Sequence, residues 1–74
     1  MSRLTDAEQM EHCAESMFRF AAEYELLAEQ YPRSRDRFLV DAHKARREAE
    51  WFAAWAQRTR DADERLSVRQ EEAA

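Results

Sequence analysis

The segment YPRSRDRF, residues 31–38, contains the only proline of a 74-residue chain that has no glycine. Proline lacks a backbone N–H and restricts the residue before it, so Pro32 predicts the end of a helix. Ser34 and Asp36 favour a new helix start directly afterwards, because a hydroxyl caps free N–H groups and an acid is stabilised at a helix N-terminus. The segment therefore predicts a turn between two helices.

The stretches on either side of this turn are rich in alanine, glutamate and arginine, which are good helix formers. Thr5, followed three residues later by Glu8, forms a capping box that predicts the start of the first helix. The predicted boundaries are a helix over about 5–31, a turn over 32–34, a helix over about 35–66 and a frayed C-terminal tail. We expect residues 1–74 to form one all-α domain, an antiparallel two-helix hairpin.

Both predicted helices carry a seam of residues at spacings that alternate between three and four, which is the heptad pattern of a coiled coil. In the first helix the seam is Met10, Ala14, Met17, Ala21, Tyr24, Ala28 and Tyr31. In the second helix it is Phe38, Ala42, Ala45, Ala49, Phe52, Ala56 and Thr59.

If the chain folds back antiparallel, residues whose numbers sum to about 66 face each other, and large side chains meet alanines that leave room for them. The same register brings Glu25 near Arg46 and Glu11 near Arg60. Exposed ion pairs of this kind are weak, but both favour the same register.

A second apolar row lies beside the seam of each helix. Trp51 and Trp55 project roughly 90–130° away from the seam, and in an antiparallel pair their flank meets the matching flank of the first helix. We call the five residues concerned the tryptophan face and predict that they form an interface: Cys13, Phe20, Leu27, Trp51 and Trp55. Cys13 is expected to act as a small buried hydrophobe.

A two-helix hairpin has no third layer to cover this face, and soluble monomers rarely expose so large an apolar patch. A second copy could cover it by forming a homodimeric four-helix bundle. A different protein could also cover it, with the tryptophans as anchors. We expect self-association and leave the foreign partner as an alternative that can coexist with it.

Charge is unevenly distributed along a chain with net charge −4: the first helix is acidic, with Arg19 as its only base, and the segment 33–47 is basic. The two helices could simply attract each other. Alternatively, acidic and basic patches contact a partner, and the residues concerned are Glu23, Glu25, Glu29, Arg33, Arg35 and Arg37. Nucleic-acid binding and nucleic-acid mimicry are further alternatives, although the negative net charge disfavours binding.

The absence of glycine excludes phosphate-cradling loops and strained nucleophile turns, and no convergent polar set suggests catalysis. We therefore expect no enzyme and no cofactor. One metal-binding alternative is a ferritin-like four-helix dimer that uses Glu8, His12 and Glu15, which share one helical stripe. The Glu-x-x-His run typical of such sites is missing.

A single cysteine cannot form an internal disulfide and fits a reducing compartment. No apolar run is long enough to cross a membrane, and the N-terminal residues lack the apolar core of a signal peptide. We expect a cytoplasmic protein without membrane contact. In size and shape the chain resembles small phage- or plasmid-borne inhibitors and bacterial adaptor proteins. That resemblance implies an inhibitor, regulator or adaptor that acts by protein–protein binding.

Overall fold

The computed structural model describes the backbone of residues 3–73 and the side chains of residues 3–71. It consists of α1 (Asp6–Gln30) and α2 (Arg35–Ala73), joined by a 3₁₀ turn over Pro32–Ser34. The two helices pack against each other in antiparallel orientation, and no strand occurs within residues 3–73. The predicted all-α helical hairpin is confirmed.

Both ends of α1 are set by local hydrogen bonds. Thr5 caps the N-terminus, where its Oγ1 accepts the Glu8 N–H at 3.2 Å and donates to the Glu8 carboxylate at 3.1 Å. At the other end the Tyr31 N–H donates to the Leu27 carbonyl at 2.9 Å. Tyr31 itself leaves the helical region, at φ −123° and ψ 78°, as the proline that follows it requires.

The second helix is longer than predicted. The predicted helix end near residue 66 falls short, because α2 continues to Ala73. The last residues contain neither proline nor glycine, and arginine, glutamine and glutamate sustain a helix there. Residues 61–71 are all exposed, so this part of α2 adds length to the hairpin and no buried core.

The buried residues of the described chain are all alanines: Ala7, Ala14, Ala21, Ala28, Ala42, Ala45, Ala49 and Ala56. In α1 they recur every seven residues, in α2 they are spaced by three, four and seven residues, and all but Ala7 belong to the predicted seam. Met17 and Tyr24 of α1 and Phe38 and Phe52 of α2 lie between them and are half-buried. Because alanines face larger residues, the helix axes can approach closely. Close packing between the two helices therefore stabilises the hairpin, in place of a large hydrophobic core.

Two ion pairs connect α1 and α2, Arg46 with Glu25 and Arg60 with Glu11. The residue numbers sum to 71 in both pairs, so the two pairs agree on one register. The predicted ion pairs are therefore confirmed. Their side chains are about half exposed, so each pair stabilises the hairpin by only ~0.2–1 kcal/mol.

The hairpin is one layer thick. Its Cα atoms extend 64 × 26 × 10 Å, and the radius of gyration is 17.8 Å. A compact domain of this length would have a radius of gyration of about 11 Å. Both broad sides of the hairpin are consequently open to contact. Within residues 3–73, neither helix has an apolar stretch of the length that a membrane crossing requires.

Candidate functional site

The two tryptophans form an exposed stacked pair on α2. Their ring centroids lie 5.7 Å apart with planes 20° from parallel, and Trp51 also meets the Phe52 ring edge-on at 5.1 Å. Phe52 is half-buried in the seam and contacts the Trp51 ring. Trp51 remains 57% exposed and Trp55 43% exposed. The pair is therefore an exposed aromatic projection on α2.

A shallow groove of about 340 Å³ opens beside the seam between the two helices. We call it the Ala45 groove; it is lined by Met17, Phe20, Tyr24 and Ala45, with Asp41, Lys44 and Glu48 completing it. The seam row of α2 reads Phe38, Ala45, Phe52 at heptad spacing, and the groove lies where the small side chain interrupts the two phenylalanines. The groove therefore results from the small alanine side chain at position 45.

The groove and the tryptophans share one broad side of the hairpin. Lys44 and Glu48 line the groove, and Trp51 and Trp55 follow them by seven residues along the same faces of α2. The ion-paired residues Glu25 and Arg46 line a different groove, together with Leu39, Ala42 and His43. The hairpin thus has a tryptophan side and an ion-pair side.

The tryptophan face is less continuous than the sequence suggested. Cys13 is exposed, so the expectation of a buried cysteine is wrong for the hairpin alone, because position 13 lies outside the seam. Phe20 is exposed and Leu27 is half-buried. Phe20 lines the Ala45 groove together with Asp41 and Glu48, so charged groups interrupt the apolar surface.

Sequence reasoning missed Asp41, Lys44 and Glu48 as parts of this surface. The signal was present in the heptad spacing, because Asp41 and Glu48 precede Trp55 by fourteen and seven residues. Because this row of α2 consists of Asp41, Glu48 and Trp55, it is not an apolar stripe. It is an aromatic patch that adjoins a charged groove.

The charged residues predicted to contact a partner divide into three groups. Glu25 forms an ion pair with Arg46 within the hairpin. This agrees with the interpretation that the acidic and basic helices attract each other. Glu23 and Glu29 are exposed on α1. Arg33, Arg35 and Arg37 are exposed around the turn, and the structure does not bring them together with the tryptophans.

The predicted metal ligands do not converge. His12 Nδ1 lies 3.8 Å from Glu15 Oε2, whereas the Glu8 carboxylate accepts the Thr5 hydroxyl. Within residues 3–71, no group of three or more His, Cys, Asp or Glu side chains is placed to hold a metal ion.

An aromatic centre with a polar rim is the usual composition of a protein contact surface, in which tryptophan is over-represented among the residues that dominate binding. The stacked pair and the Ala45 groove have this composition. No protein-family model, curated protein or solved structure gives a significant match to the chain.

Proposed function

We propose that this chain is a non-enzymatic protein that acts by protein–protein binding, as an inhibitor, regulator or adaptor, with the tryptophan face as its contact surface. One observation carries the proposal. A hairpin one layer thick, whose buried residues are alanines, displays two stacked tryptophans on one broad side. Two adjacent exposed tryptophans support an interaction site, because tryptophan is over-represented among the residues that dominate protein binding.

The exposed area is large enough to anchor a complex. A tryptophan side chain offers up to ~250 Å². The exposed fractions of Trp51 and Trp55, 57% and 43%, therefore leave about 250 Å² to be covered. At ~25 cal/mol per Å² this corresponds to about 6 kcal/mol, an upper value because association also loses translational and side-chain entropy.

The chain offers a matched pair of variants to test the proposal. Trp55 is 43% exposed on the tryptophan side, and Phe18 is 44% exposed. Phe18 lies seven residues from both Glu11 and Glu25, and therefore on the ion-pair side. Trp55→Asp and Phe18→Asp introduce the same charge at equal exposure on opposite sides of the hairpin.

The measurements are the oligomeric mass by light scattering and the proteins recovered by a quantitative pull-down from the native host. Trp55→Asp is expected to lower the mass or to remove a recovered partner, whereas Phe18→Asp changes neither. Circular dichroism confirms that both variants keep their helices. If Trp55→Asp leaves both the mass and the recovered proteins unchanged, the proposed function is wrong.

A further inference from the structure

We propose that the occupant of the tryptophan face is a second copy of this chain, related by a two-fold axis that places each Trp51–Trp55 pair over the Ala45 groove of the other copy. The inference rests on the proposed function and names the partner. The product is a four-helix bundle in which α1 packs on α1 and α2 packs on α2.

The first argument is the area that the hairpin leaves exposed. Its accessible surface is 6525 Å², whereas a compact monomer of 8.8 kDa exposes about 4,800 Å². The excess is about 1,700 Å² per chain and about 3,400 Å² for a pair, within the range of about 2,000–5,000 Å² that obligate homodimers bury. Residues 61–71, which are all exposed, contribute to this excess.

The second argument is that the tryptophan side is complementary to itself. The Trp51–Trp55 pair and the Ala45 groove lie at neighbouring levels on the same side of the hairpin. A two-fold axis that runs across the helices between these levels places the pair of each copy on the groove of the other. Phe20 and Glu48, which both line the groove, lie near that level. With the axis there, facing residue numbers sum to about 96 in α2, and Trp55 meets Asp41 of the second copy.

The same axis also matches the row of α1. Facing residue numbers in α1 sum to about 40, so Phe20 meets its own copy and Cys13 meets Leu27. Phe20 lies near the middle of α1 (Asp6–Gln30), and therefore the two hairpins overlap along nearly their whole paired length. Three of the five residues of the tryptophan face are thus covered by members of the same set.

The charges beside the groove fit the tryptophans that would cover it. The Asp41 carboxylate can accept the indole N–H of Trp55, which a buried tryptophan needs. Lys44 reaches the level of Trp51 of the second copy, where an ammonium group on an indole face is attractive. The two Glu48 carboxylates approach each other at the axis, and Lys44 of each copy lies one helical turn away to offset their repulsion.

Disulfide formation tests this geometry directly. Leu27→Cys adds a thiol that the axis places opposite Cys13 of the second copy, whereas within one chain the two positions are about 21 Å apart along the helix. We expect oxidised glutathione to convert this variant almost completely into a covalent dimer on a non-reducing gel. The wild type is expected to remain uncrosslinked, because its two Cys13 residues are also about 21 Å apart across the axis. Leu26→Cys, at the neighbouring and outward position, is the control and should not crosslink.

Ala45→Phe tests the groove independently. The substitution continues the row set by Phe38 and Phe52, so the hairpin can accept it opposite Ala21 while the groove is filled. We expect the variant to keep its helicity and to weaken self-association at least 100-fold, measured by sedimentation equilibrium.

The inference is overturned if Leu27→Cys crosslinks no more than Leu26→Cys, or if a helical Ala45→Phe variant associates as tightly as the wild type. A different outcome separates it from the proposed function. A monomeric wild type that loses a foreign partner on Trp55→Asp would overturn the second copy as occupant and leave the binding function standing.

Discussion

Enlarging one seam alanine should destabilise the hairpin far more than the same change on an outer face. Ala49 is completely buried and, in the predicted register of facing residues that sum to about 66, faces the half-buried Met17. Leucine there adds three carbon atoms at a contact that has no space for them. Overpacking of this kind costs about 1–3 kcal/mol, because the helices must separate or side chains must leave their preferred rotamers.

That cost is large for a chain of this size. A 74-residue domain has a stability of about 4–11 kcal/mol. A loss of about 2 kcal/mol lowers the melting temperature by roughly 8–16 °C. Ala54→Leu is the control, because Ala54 is exposed on the same helix and leucine has nearly the helix propensity of alanine. The control should change the stability by no more than about 0.5 kcal/mol.

The assay is thermal unfolding followed by circular dichroism, with all proteins at one concentration because self-association makes the melting temperature concentration-dependent. We expect Ala49→Leu to melt well below both the wild type and Ala54→Leu. If Ala49→Leu melts at or above the temperature of the control, the helices are not in close contact through alanine, and the account of the fold is wrong.

Three further outcomes are expected. Thr5→Ala should lower the unfolding free energy by about 1 kcal/mol, because the Glu8 N–H loses its cap; an unchanged denaturant midpoint would contradict this. Arg46→Ala should cost only ~0.2–1 kcal/mol, and the difference from wild type should vanish at high salt since the pair with Glu25 is exposed; a salt-independent loss would contradict a screened ion pair. Protein purified without a His-tag should contain no stoichiometric iron, zinc or manganese by elemental analysis, whereas bound metal that His12→Ala removes would favour the metal-binding alternative.

The sequence was sufficient for the hairpin because its signals are local and periodic. Pro32 ends a helix by its own chemistry, and Thr5 identifies its cap by the glutamate three residues later. Ala14 and Ala49 belong to heptad rows that can be read without coordinates, and the ion pairs of α1 with α2 follow from the register. The end of α2 was misjudged because a helix that lacks breakers can continue without a partner to pack against.

The surface was harder to predict because it depends on residues of both helices together. Cys13 appeared apolar in the sequence, but its position beside the seam leaves it exposed. The Ala45 groove was missed because a gap is recognised only by comparing Ala45 with Phe38 and Phe52 in the same row. Glu48 was missed as a neighbour of Phe20 for a related reason, since the two meet across the hairpin and not along one helix.

The molecular mass in solution tests the central claim most directly, namely that a hairpin one layer thick uses its tryptophan face to bind protein and that a second copy covers this face. Size-exclusion chromatography with light scattering, over a dilution series, is expected to give twice the chain mass of 8.8 kDa. A mass of 8.8 kDa at every concentration, with a scattering radius of gyration close to the 17.8 Å of the single hairpin, would contradict the second copy.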